Sequence, residues 1–419
     1  MNIKITPKPL TGKVSVVSSK SLSHRYIIAS GLAHGTSVIN NVLDSDDLVA
    51  TKGALSALGT QFEGDKVIGN DLILSQSTID CKESGSTLRF MIPILLLQKE
   101  KVTFTGSGRL PLRSLDVYFD LFKQKNIHYT RPEDAYLPLE VKGPLRAGYY
   151  PMRGDVSSQF LTGLLFALPL LNKDSVIEIT TPLESRGYIN LTLDTLRLFG
   201  IHILEVDQYF YIKGGQKYLP IEATVEADYS QAAFWMVAGI IGGKIELSNL
   251  DPLTKQGDYK IVDIIKSMVG SIEYDDASRI YSIEPSETFG ITIDLSQIPD
   301  LGPILMVLAS LSKNTTIFTN ASRLRIKESD RLDAMYQTLL KFGVDVEMKA
   351  DSMVVKGTKI LKGNQTFDTF GDHRIAMAIA IAAIRADGPV TILNADVVSK
   401  SYPKFFEVYQ SLGGDIHES

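Results

Sequence analysis

One stretch of nine residues, Arg323–Arg331, combines four cations with two acids immediately before an apolar run with helical spacing. Ser329 is a favoured N-cap residue, so we expect a helix to begin just after it. Arg331 would then lie in the first turn, where a cation opposes the helix dipole and the exposed N–H groups. A bound phosphate or carboxylate would remove that conflict. Glu328, among these cations, is the acid that we expect to move a proton, although a solvated charge run gives the same pattern.

Six stretches of the chain share one pattern, in which polar residues lead directly into an apolar segment of helical length. Five of the polar starts recur every 70–73 residues, at Ser84, Ser157, Ser230, Asp300 and Asp372. Segments that are apolar all round form buried helices. An amphipathic segment follows each one, and we expect it to end at a Gly or Asn in the left-handed cap conformation. These expected ends are Gly59, Asn126, Gly200, Gly270, Gly343 and Gly413.

Strand-like runs follow these caps, so the chain comprises six copies of a helix–strand–helix–strand–strand unit. The last copy is short, and Asn2–Thr6 is the candidate for its missing strand. The N-terminus would then complete the C-terminal domain, with crossings near residues 12–16 and 222–228. We therefore predict an α/β protein with an N-terminal domain at 14–224 and a C-terminal domain that joins 1–13 to 225–419, each built of three repeated βαβαββ units with buried parallel helices.

The composition limits the classes of function. The chain has 419 residues, of which 44% are hydrophobic and 22% charged, as in ordered two-domain proteins. A net charge of −5 argues against nucleic-acid binding, so any anion site must be local. Cys81 is the only cysteine, which excludes an internal disulfide and fits a reducing cytoplasm. The apolar runs are shorter than the ~20 residues of a membrane span. We expect a cytoplasmic, monomeric protein with no metal, no membrane and no nucleic-acid partner.

Together these motifs resemble the 5-enolpyruvylshikimate-3-phosphate synthase family, the 3-phosphoshikimate 1-carboxyvinyltransferases. The resemblance covers essentially the whole chain, and its most specific parts are Arg-Ile-Lys-Glu-Ser-Asp-Arg at 325–331 and Gly-Asp-His-Arg at 371–374. The other motifs are Ser19–Arg25, Leu43–Asp47, Ser84–Arg89, Val156–Phe160 and Lys400–Pro403. The resemblance implies the two-domain enolpyruvyl transferase fold, an inside-out α/β barrel in each domain, with the active site in the interdomain cleft and two crossover linkers.

The family transfers the enolpyruvyl (carboxyvinyl) group of phosphoenolpyruvate to the 5-hydroxyl of shikimate 3-phosphate and releases phosphate, in the shikimate pathway to chorismate and aromatic amino acids. The reaction is an addition–elimination through a tetrahedral intermediate. It needs an acid/base for the methylene, a base for the hydroxyl and cations around phosphate and carboxylate. The resemblance therefore implies a transferase with these two small anionic substrates as partners, and with no cofactor, metal or covalent nucleophile.

The resemblance also assigns roles to residues. Glu328 corresponds to the proton donor to the methylene, and Asp300 to the acceptor of the hydroxyl proton, with Lys20 close by. The expected phosphoenolpyruvate contacts are Lys20, Gly85, Arg113, Gln159, Arg331, Arg374 and Lys400. The expected shikimate 3-phosphate contacts are Ser21, Arg25, Ser157, Ser158, Ser185, Tyr188, Asp300 and Lys327. The serines could instead be helix caps, and Asp300 could cap the helix that follows it.

Glu83 stands where the family usually has Asn, and we expect it to turn toward a cation such as Arg89 or Arg113.

A carboxyvinyltransferase acting on UDP-N-acetylglucosamine would share the repeats but generally has a cysteine near Gly106–Arg113, where this chain has none. An RNA-end phosphate cyclase is disfavoured by the acidic pI of about 5.8. A third alternative is a non-catalytic repeat scaffold. It is disfavoured because the cations of the motifs would then be unrelated surface charges.

Overall fold

The chain divides into two compact units in a computed structural model that describes residues 1–418, so Ser419 lies outside the described residues. The N-terminal unit is Ser18–Val225, and the C-terminal unit joins Met1–Val17 to the chain from Glu226 onward. The first boundary lies four residues later than the predicted 13/14 boundary. The reason is that residues 12–15 form a strand that pairs in parallel with Ile245–Ser248 of the C-terminal unit.

Within residues 1–418, short and medium α-helices alternate with strands. The α-helices are α1 (Lys20–Leu32), α2 (Asp46–Ser56), α3 (Gly85–Leu95), α4 (Asp116–Lys125), α5 (Ser158–Ala167), α6 (Arg186–Leu198), α7 (Tyr229–Ile241), α8 (Lys260–Ser267), α9 (Gly302–Ser310), α10 (Arg331–Lys341), α11 (His373–Ala382) and α12 (Phe405–Ser411). Short 3-10 helices lie at Leu110–Leu112, Leu168–Leu170, Gly257–Tyr259, Pro299–Leu301, Ser322–Ile326, Ala383–Arg385 and Ala395–Lys400.

The strands are three to six residues long. They are β1 (Ile3–Thr6), β2 (Gly12–Ser15), β3 (Gly35–Asn40), β4 (Gln61–Glu63), β5 (Lys66–Gly69), β6 (Thr78–Asp80), β7 (Lys101–Thr105), β8 (His128–Thr130), β9 (Leu139–Lys142), β10 (Tyr149–Met152), β11 (Ser175–Ile179), β12 (Ile203–Val206), β13 (Tyr209–Ile212), β14 (Glu222–Thr224), β15 (Ile245–Ser248), β16 (Ser271–Asp275), β17 (Ile280–Glu284), β18 (Thr292–Asp294), β19 (Thr315–Thr319), β20 (Asp345–Met348), β21 (Met353–Lys356), β22 (Gln365–Phe367), β23 (Val390–Ile392) and β24 (Asp415–Glu418).

These strands form six four-stranded sheets over the described residues, three in each unit. The N-terminal unit has the orders β14-β3-β5-β4, β6-β7-β9-β8 and β10-β11-β13-β12, and the C-terminal unit has β16-β17-β15-β2, β18-β19-β21-β20 and β22-β23-β1-β24. Each sheet joins one parallel pair to two antiparallel pairs, for example β10 with β11 and then β11 with β13. β1 lies between β23 and β24, where the sequence predicts the missing strand. The predicted repeat fold is confirmed.

The first helix of every repeat is buried. In the C-terminal unit, α7, α9 and α11 pack on one another, and every residue of α7 is buried. In the N-terminal unit, α3 packs on α5, and α1 packs on α2 and α6. Five of these six helices begin at a polar side chain that accepts a backbone N–H: Ser19, Ser84, Ser157, Asp228 and Asp372. These polar starts are therefore helix caps, and one of them, Ser157, is also a predicted site residue.

One predicted helix end is wrong by a residue. Gly59, Asn126, Gly200, Gly343 and Gly413 have positive φ, as predicted. After α8, however, Val269 has the positive φ of 66° and Gly270 does not. A Cβ at Gly270 would lie 2.6 Å from Ile265 Cγ2 and 3.1 Å from the Ile265 carbonyl oxygen. Close packing requires this glycine, and the strained backbone conformation falls on a β-branched residue instead.

Candidate active site

In the C-terminal unit two of the three predicted catalytic residues, Asp300 and Glu328, lie in one group, which we call the acid–base cluster. Its members are Asp300, Lys327, Glu328, Arg331, Asp372 and Arg374. Asp300 comes from the 3-10 turn before α9, and Asp372 and Arg374 from the start of α11. The other members come from the segment that leads into α10. Long-range folding therefore assembles three carboxylates and three cations from separate repeats.

α10 begins at Arg331, as the charge pattern predicts, but its cap differs from the prediction. Asp330 is the N-cap, and its carboxylate accepts the Asp333 N–H at 3.0 Å. The Ser329 hydroxyl instead donates to Asp372 Oδ2 at 3.0 Å. The prediction of Ser329 as N-cap is therefore wrong, because a buried carboxylate from a distant repeat takes its hydroxyl. Asp330 performs the same capping chemistry one residue later.

The Arg331 guanidinium is the centre of the acid–base cluster. Its Nε donates to Asp372 Oδ2 at 2.8 Å, its Nη1 to Asp300 Oδ1 at 2.9 Å and its Nη2 to Glu328 Oε2 at 2.5 Å. Its side chain is only 1% exposed, and that of Asp372 is fully buried. Burial lowers the pKa of Arg331, but the three carboxylates outweigh it and raise that pKa above its usual range. Protein carboxylates thus resolve the conflict between this cation and the helix dipole.

Three cations lie close to the Asp300 carboxylate. Lys327 Nζ lies 3.0 Å and Arg331 Nη1 2.9 Å from its Oδ1, and Arg374 Nη2 lies 3.7 Å from its Oδ2. Burial would raise the pKa of Asp300, but these three cations hold that pKa well below its usual range. The N-cap position of α9 is Leu301, the residue after Asp300. The capping alternative for Asp300 is therefore wrong.

The neighbouring groups respond to the same burial. Burial lowers the pKa of Lys327 to about 8, although Asp300 opposes the shift. Burial raises and Arg331 lowers the pKa of Asp372, and the net direction is downward. Lys400 ends the 3-10 turn Ala395–Lys400, and its Nζ donates to the carbonyl of Gly371 at 2.9 Å. Lys400 is therefore held directly beside the loop that starts α11.

In the N-terminal unit, Lys20 and Arg25 project from α1. Lys20 Nζ lies 3.0 Å from Asp47 Oδ2 of α2, and both side chains are largely buried. Arg25 donates to the carbonyls of Ser21 and Tyr188 at 2.7 and 3.0 Å. Burial lowers the pKa of Arg25 to about 10. These contacts join three of the predicted shikimate 3-phosphate residues, Ser21, Arg25 and Tyr188, within one network.

The predicted serines have different local roles. Ser157 is the N-cap of α5, and its hydroxyl accepts the Gln159 N–H at 3.3 Å, so the capping alternative holds for its hydroxyl. Ser158 is the first residue of α5 and is buried. Ser185 precedes α6 with a positive φ of 54° and no side-chain cap bond. Strained, non-capping residues of this kind are often retained at functional sites.

Gln159 and Arg113 belong to a second group in the same unit. Arg89 Nη1 donates to Gln159 Oε1 at 2.7 Å, and Gln159 Nε2 donates to Ser86 Oγ at 2.8 Å. The Arg113 guanidinium lies against Gly85, so closely that a Cβ there would be 2.5 Å from Arg113 Nη1. Gly85 therefore provides space for a cation, whereas a larger residue would displace it.

Three further residues hold these groups in place, and the predicted site omits them. Asp372, Arg89 and Asp47 each pair with a predicted residue, and all three lie within the motifs noted in the sequence. Their position within the sequence motifs was the only feature from which they could have been predicted as site residues.

Glu83 turns its carboxylate toward Gly108, where a Cβ would be 2.2 Å from Glu83 Oε2. The 106–109 loop is thus its immediate neighbour.

Among residues 1–418, no group of three or more His, Cys, Asp or Glu side chains could hold a metal ion. Over the same residues, no helix is both long and apolar enough to span a bilayer.

Comparisons with known proteins agree with the resemblance. The family model for EPSP synthase (3-phosphoshikimate 1-carboxyvinyltransferase) matches residues 5–409. A 3-phosphoshikimate 1-carboxyvinyltransferase from Clostridium acetobutylicum is 46% identical, with 99% of this chain and 98% of that protein covered. The protein of the same name from Clostridioides difficile is 42% identical over 100% of this chain and 98% of its own length.

Solved structures give the same result. EPSP synthase from Acinetobacter baumannii superposes with a TM-score of 0.81 at 25% identity, with both chains fully covered. The enolpyruvyl transferase NikO from Streptomyces tendae has the same TM-score at 14% identity, with 100% of this chain and 98% of that chain covered, and shows the fold alone. The sequence, the fold and these comparisons identify the chain as a member of the EPSP synthase (3-phosphoshikimate 1-carboxyvinyltransferase) family.

Proposed function

We propose that the chain transfers the enolpyruvyl group of phosphoenolpyruvate to the 5-hydroxyl of shikimate 3-phosphate and releases phosphate. The acid–base cluster carries this proposal, because it holds two acids of the expected roles, Asp300 and Glu328, on one buried guanidinium. Curated relatives that share 46% of their residues with this chain bear the name of the same reaction. The pathway to chorismate follows from that reaction.

The proposed chemistry balances with two proton carriers. Glu328 gives a proton to the methylene carbon of phosphoenolpyruvate, and the neighbouring carbon becomes oxocarbenium-like. The 5-hydroxyl oxygen attacks that carbon while Asp300 takes its proton, which yields a tetrahedral ketal. Glu328, now a carboxylate, then takes a proton back from the new methyl group as the carbon–oxygen bond to phosphate breaks, and the enol double bond forms again. No redox step is involved.

Asp300 needs help to act as a base, because three cations hold its pKa well below the usual range. A phosphate or carboxylate of the substrates would compete with Asp300 for Lys327 and Arg374. Every cation that turns to substrate raises the pKa of Asp300, since opposite charges favour its ionised form. We infer that substrate binding makes Asp300 more basic, and that Asp300 is a weak general base while no substrate is bound.

The N-terminal unit contributes the remaining proposed contacts. Lys20, Gly85, Arg113 and Gln159 serve phosphoenolpyruvate together with Arg331, Arg374 and Lys400 of the C-terminal unit. Ser21, Arg25, Ser157, Ser158, Ser185 and Tyr188 serve shikimate 3-phosphate together with Asp300 and Lys327. Guanidinium groups match carboxylates and phosphates in two-point contacts, and lysines act as point charges.

Phosphate release tests the proposal directly. Purified protein is incubated with phosphoenolpyruvate in chelator-treated buffer, with and without shikimate 3-phosphate. We expect release only when both substrates are present, with formation of the enolpyruvyl ether detected by mass spectrometry. Release with UDP-N-acetylglucosamine as the acceptor, and none with shikimate 3-phosphate, would assign a different acceptor. Release from phosphoenolpyruvate alone would indicate a hydrolase.

Glu328→Gln tests the assignment of the proton donor. The amide keeps the shape of the side chain but cannot supply the proton, and loss of a general acid or base typically costs about 10²–10⁴-fold in turnover. We expect kcat to fall by that factor while calorimetry shows nearly unchanged binding of shikimate 3-phosphate. Glu347→Gln, on the exposed face of β20, is the matched control and should leave kcat unchanged. Turnover within threefold of the parent would remove Glu328 from this role.

A further inference from the structure

A buried threonine joins three helices of the N-terminal unit through one hydroxyl group. Thr192 lies on α6 and is fully buried. Its Oγ1 accepts the Arg25 Nε–H at 2.9 Å, donates to the Tyr188 carbonyl at 2.9 Å and lies 2.9 Å from Thr162 Oγ1. Arg25 belongs to α1 and Thr162 to α5. Thr192 therefore connects a predicted substrate-binding cation to two other helices.

The direction of each hydrogen bond of Thr192 follows from the chemistry of its partners. A guanidinium can only donate, and a carbonyl oxygen can only accept. The single hydroxyl proton of Thr192 therefore goes to the Tyr188 carbonyl, and its oxygen receives the Arg25 N–H. Thr162 must then donate to Thr192, because the Thr192 proton is already used. With one donated and two accepted bonds, the hydroxyl of Thr192 is fully occupied and its orientation is fixed.

Arg25 is held by neutral groups. Besides the bond to Thr192, its Nη1 donates to the Ser21 carbonyl at 2.7 Å and its Nη2 to the Tyr188 carbonyl at 3.0 Å. Its guanidinium also lies 5.4 Å from the centre of the Phe90 ring. Arg25 is 2% exposed, and within residues 1–418 no carboxylate pairs with it. A buried charge without a counter-ion is costly, so an anionic ligand is a favourable partner.

The donors of Arg25 are only partly used. A guanidinium has five N–H groups, and the three bonds to protein oxygens occupy one on each nitrogen. One N–H group on Nη1 and one on Nη2 therefore remain outside the hydrogen bonds that residues 1–418 make. Paired N–H groups of this kind bind an oxyanion at two points.

We propose that Thr192 is a positioning residue for shikimate 3-phosphate: its hydroxyl fixes the plane of the Arg25 guanidinium, so that the two remaining N–H groups are oriented before the substrate binds. The inference rests on the proposed function, in which Arg25 contacts this substrate. A mobile side chain loses conformational entropy on binding, whereas one that is already held at three nitrogens loses little. Thr192 acts through Arg25 and takes no part in the proton transfers, so its effect should fall on substrate binding.

Thr192→Val tests this role, because valine keeps the branched shape but leaves the Arg25 Nε–H without its acceptor. We expect the KM for shikimate 3-phosphate, and its Kd in calorimetry, to rise by about tenfold, less than the roughly 100-fold that a 1 Å misplacement can cost. Uniform loss of binding leaves kcat unchanged, so kcat and the KM for phosphoenolpyruvate should stay within about twofold of the parent's values. Thr192→Ser keeps the hydroxyl and should restore the KM for shikimate 3-phosphate.

Thr195→Val is the matched control. Thr195 lies on the same helix, is buried, and its hydroxyl donates to the Leu191 carbonyl at 2.7 Å. The control therefore also loses a buried hydroxyl of α6, but one that does not contact Arg25, and its KM for shikimate 3-phosphate should match the parent's. Equal KM values for Thr192→Val and Thr195→Val, or a loss confined to kcat, would overturn the positioning role.

Thr162→Val keeps the proposal testable if Thr192→Val does not fold. It removes the hydroxyl that donates to Thr192 but leaves the contact between Thr192 and Arg25. We expect the KM for shikimate 3-phosphate to rise by about threefold, as for the loss of one neutral hydrogen bond, and in that case an unchanged KM would overturn the proposal. A parent protein that binds shikimate 3-phosphate without turnover would instead overturn the proposed function, while the Kd values would still test Thr192.

Discussion

Replacing Arg331 by Met should destabilise the C-terminal unit by an amount that depends on pH. The substitution keeps much of the aliphatic volume of the side chain but removes the cation that contacts Asp300, Glu328 and Asp372. Asp300 retains Lys327 and Arg374. Asp372, which is fully buried, retains hydrogen bonds from the Ser329 hydroxyl at 3.0 Å and from the Arg374 N–H at 2.9 Å. Its charge would then be poorly compensated.

The magnitude follows from burial. Removing one partner of a buried ion pair costs about 3–5 kcal/mol, because the other charge stays desolvated. In a domain of about two hundred residues, 1 kcal/mol corresponds to about 2–4 °C. We therefore expect the transition of the C-terminal unit to fall by about 6–20 °C at pH 7.5.

The sign of the pH dependence follows from Asp372. Its folded-state pKa is lowered in the parent protein, so its stabilising contribution is present above the unfolded-state pKa and is lost as pH falls through the folded one. Without Arg331, burial raises this pKa instead. Protonated Asp372 is tolerated in the variant, so the deficit relative to the parent should shrink between pH 7.5 and pH 5.

Differential scanning calorimetry at these two pH values measures the effect. Lys260→Met, in an exposed i,i+3 pair of the same unit, is the control and should shift the transition by less than about 4 °C. Arg331→Met combined with Asp372→Asn removes the stranded charge and should be more stable than Arg331→Met alone at pH 7.5. A double variant no more stable than the single one, or a deficit independent of pH, would refute the reasoning.

Three further outcomes are expected. Gly85→Ala should raise the KM for phosphoenolpyruvate by about 10–100-fold in steady-state kinetics, because displacing the Arg113 guanidinium loses a charged hydrogen bond of about 1.5–3 kcal/mol. Gly53→Ala is the control, because a Cβ at Gly53 meets nothing within 4 Å. Equal KM values for the two variants would contradict the displacement of Arg113. Val269→Gly should raise the melting temperature by about 2–4 °C, because it relieves a positive φ of 66° at an exposed side chain; an unchanged or lower transition in calorimetry would count against that strain. Burial raises the pKa of Cys81, which is fully buried, so a chromogenic disulfide should label it rapidly in urea and very slowly in the native protein; rapid native labelling would show that this core opens.

Local features of the fold were predictable from the sequence because they depend on neighbouring residues. Asn126 has the predicted left-handed conformation, with φ of 54°, since that preference belongs to the residue itself. Val269 was not predictable in this way. Gly270 is the better left-handed residue by local preference, but packing against Ile265 fixes it in another conformation. A Cβ at Gly270 would also lie 3.1 Å from Ile240 Cδ1 of α7, and this packing between two helices overrode the local preference by one position.

The candidate site shows the same division. The charges of Arg323–Arg331 indicate an anion-binding helix start, and α10 does begin at Arg331. The sequence could not show that Asp372, which is 41 residues away, supplies one of the anions. Asp372 also accepts the Arg374 N–H as the N-cap of α11, and that local role accounts for its presence in the pattern. The sequence could therefore predict the capping role of Asp372, which depends on neighbouring residues, but not its long-range contact with Arg331.

The charges of the acid–base cluster bear on how the proposed reaction is controlled. Lys327, Arg331 and Arg374 face Asp300, Glu328 and Asp372, so the six side chains carry no net charge when all are ionised. A multiply anionic substrate must therefore compete with protein carboxylates for cations. Under the proposed function, this competition costs binding energy but releases Asp300 from its cations, which raises its basicity. Part of the binding energy would thus be converted into base strength at the reacting hydroxyl, and that gain is available only to a ligand with enough negative charge to win the competition.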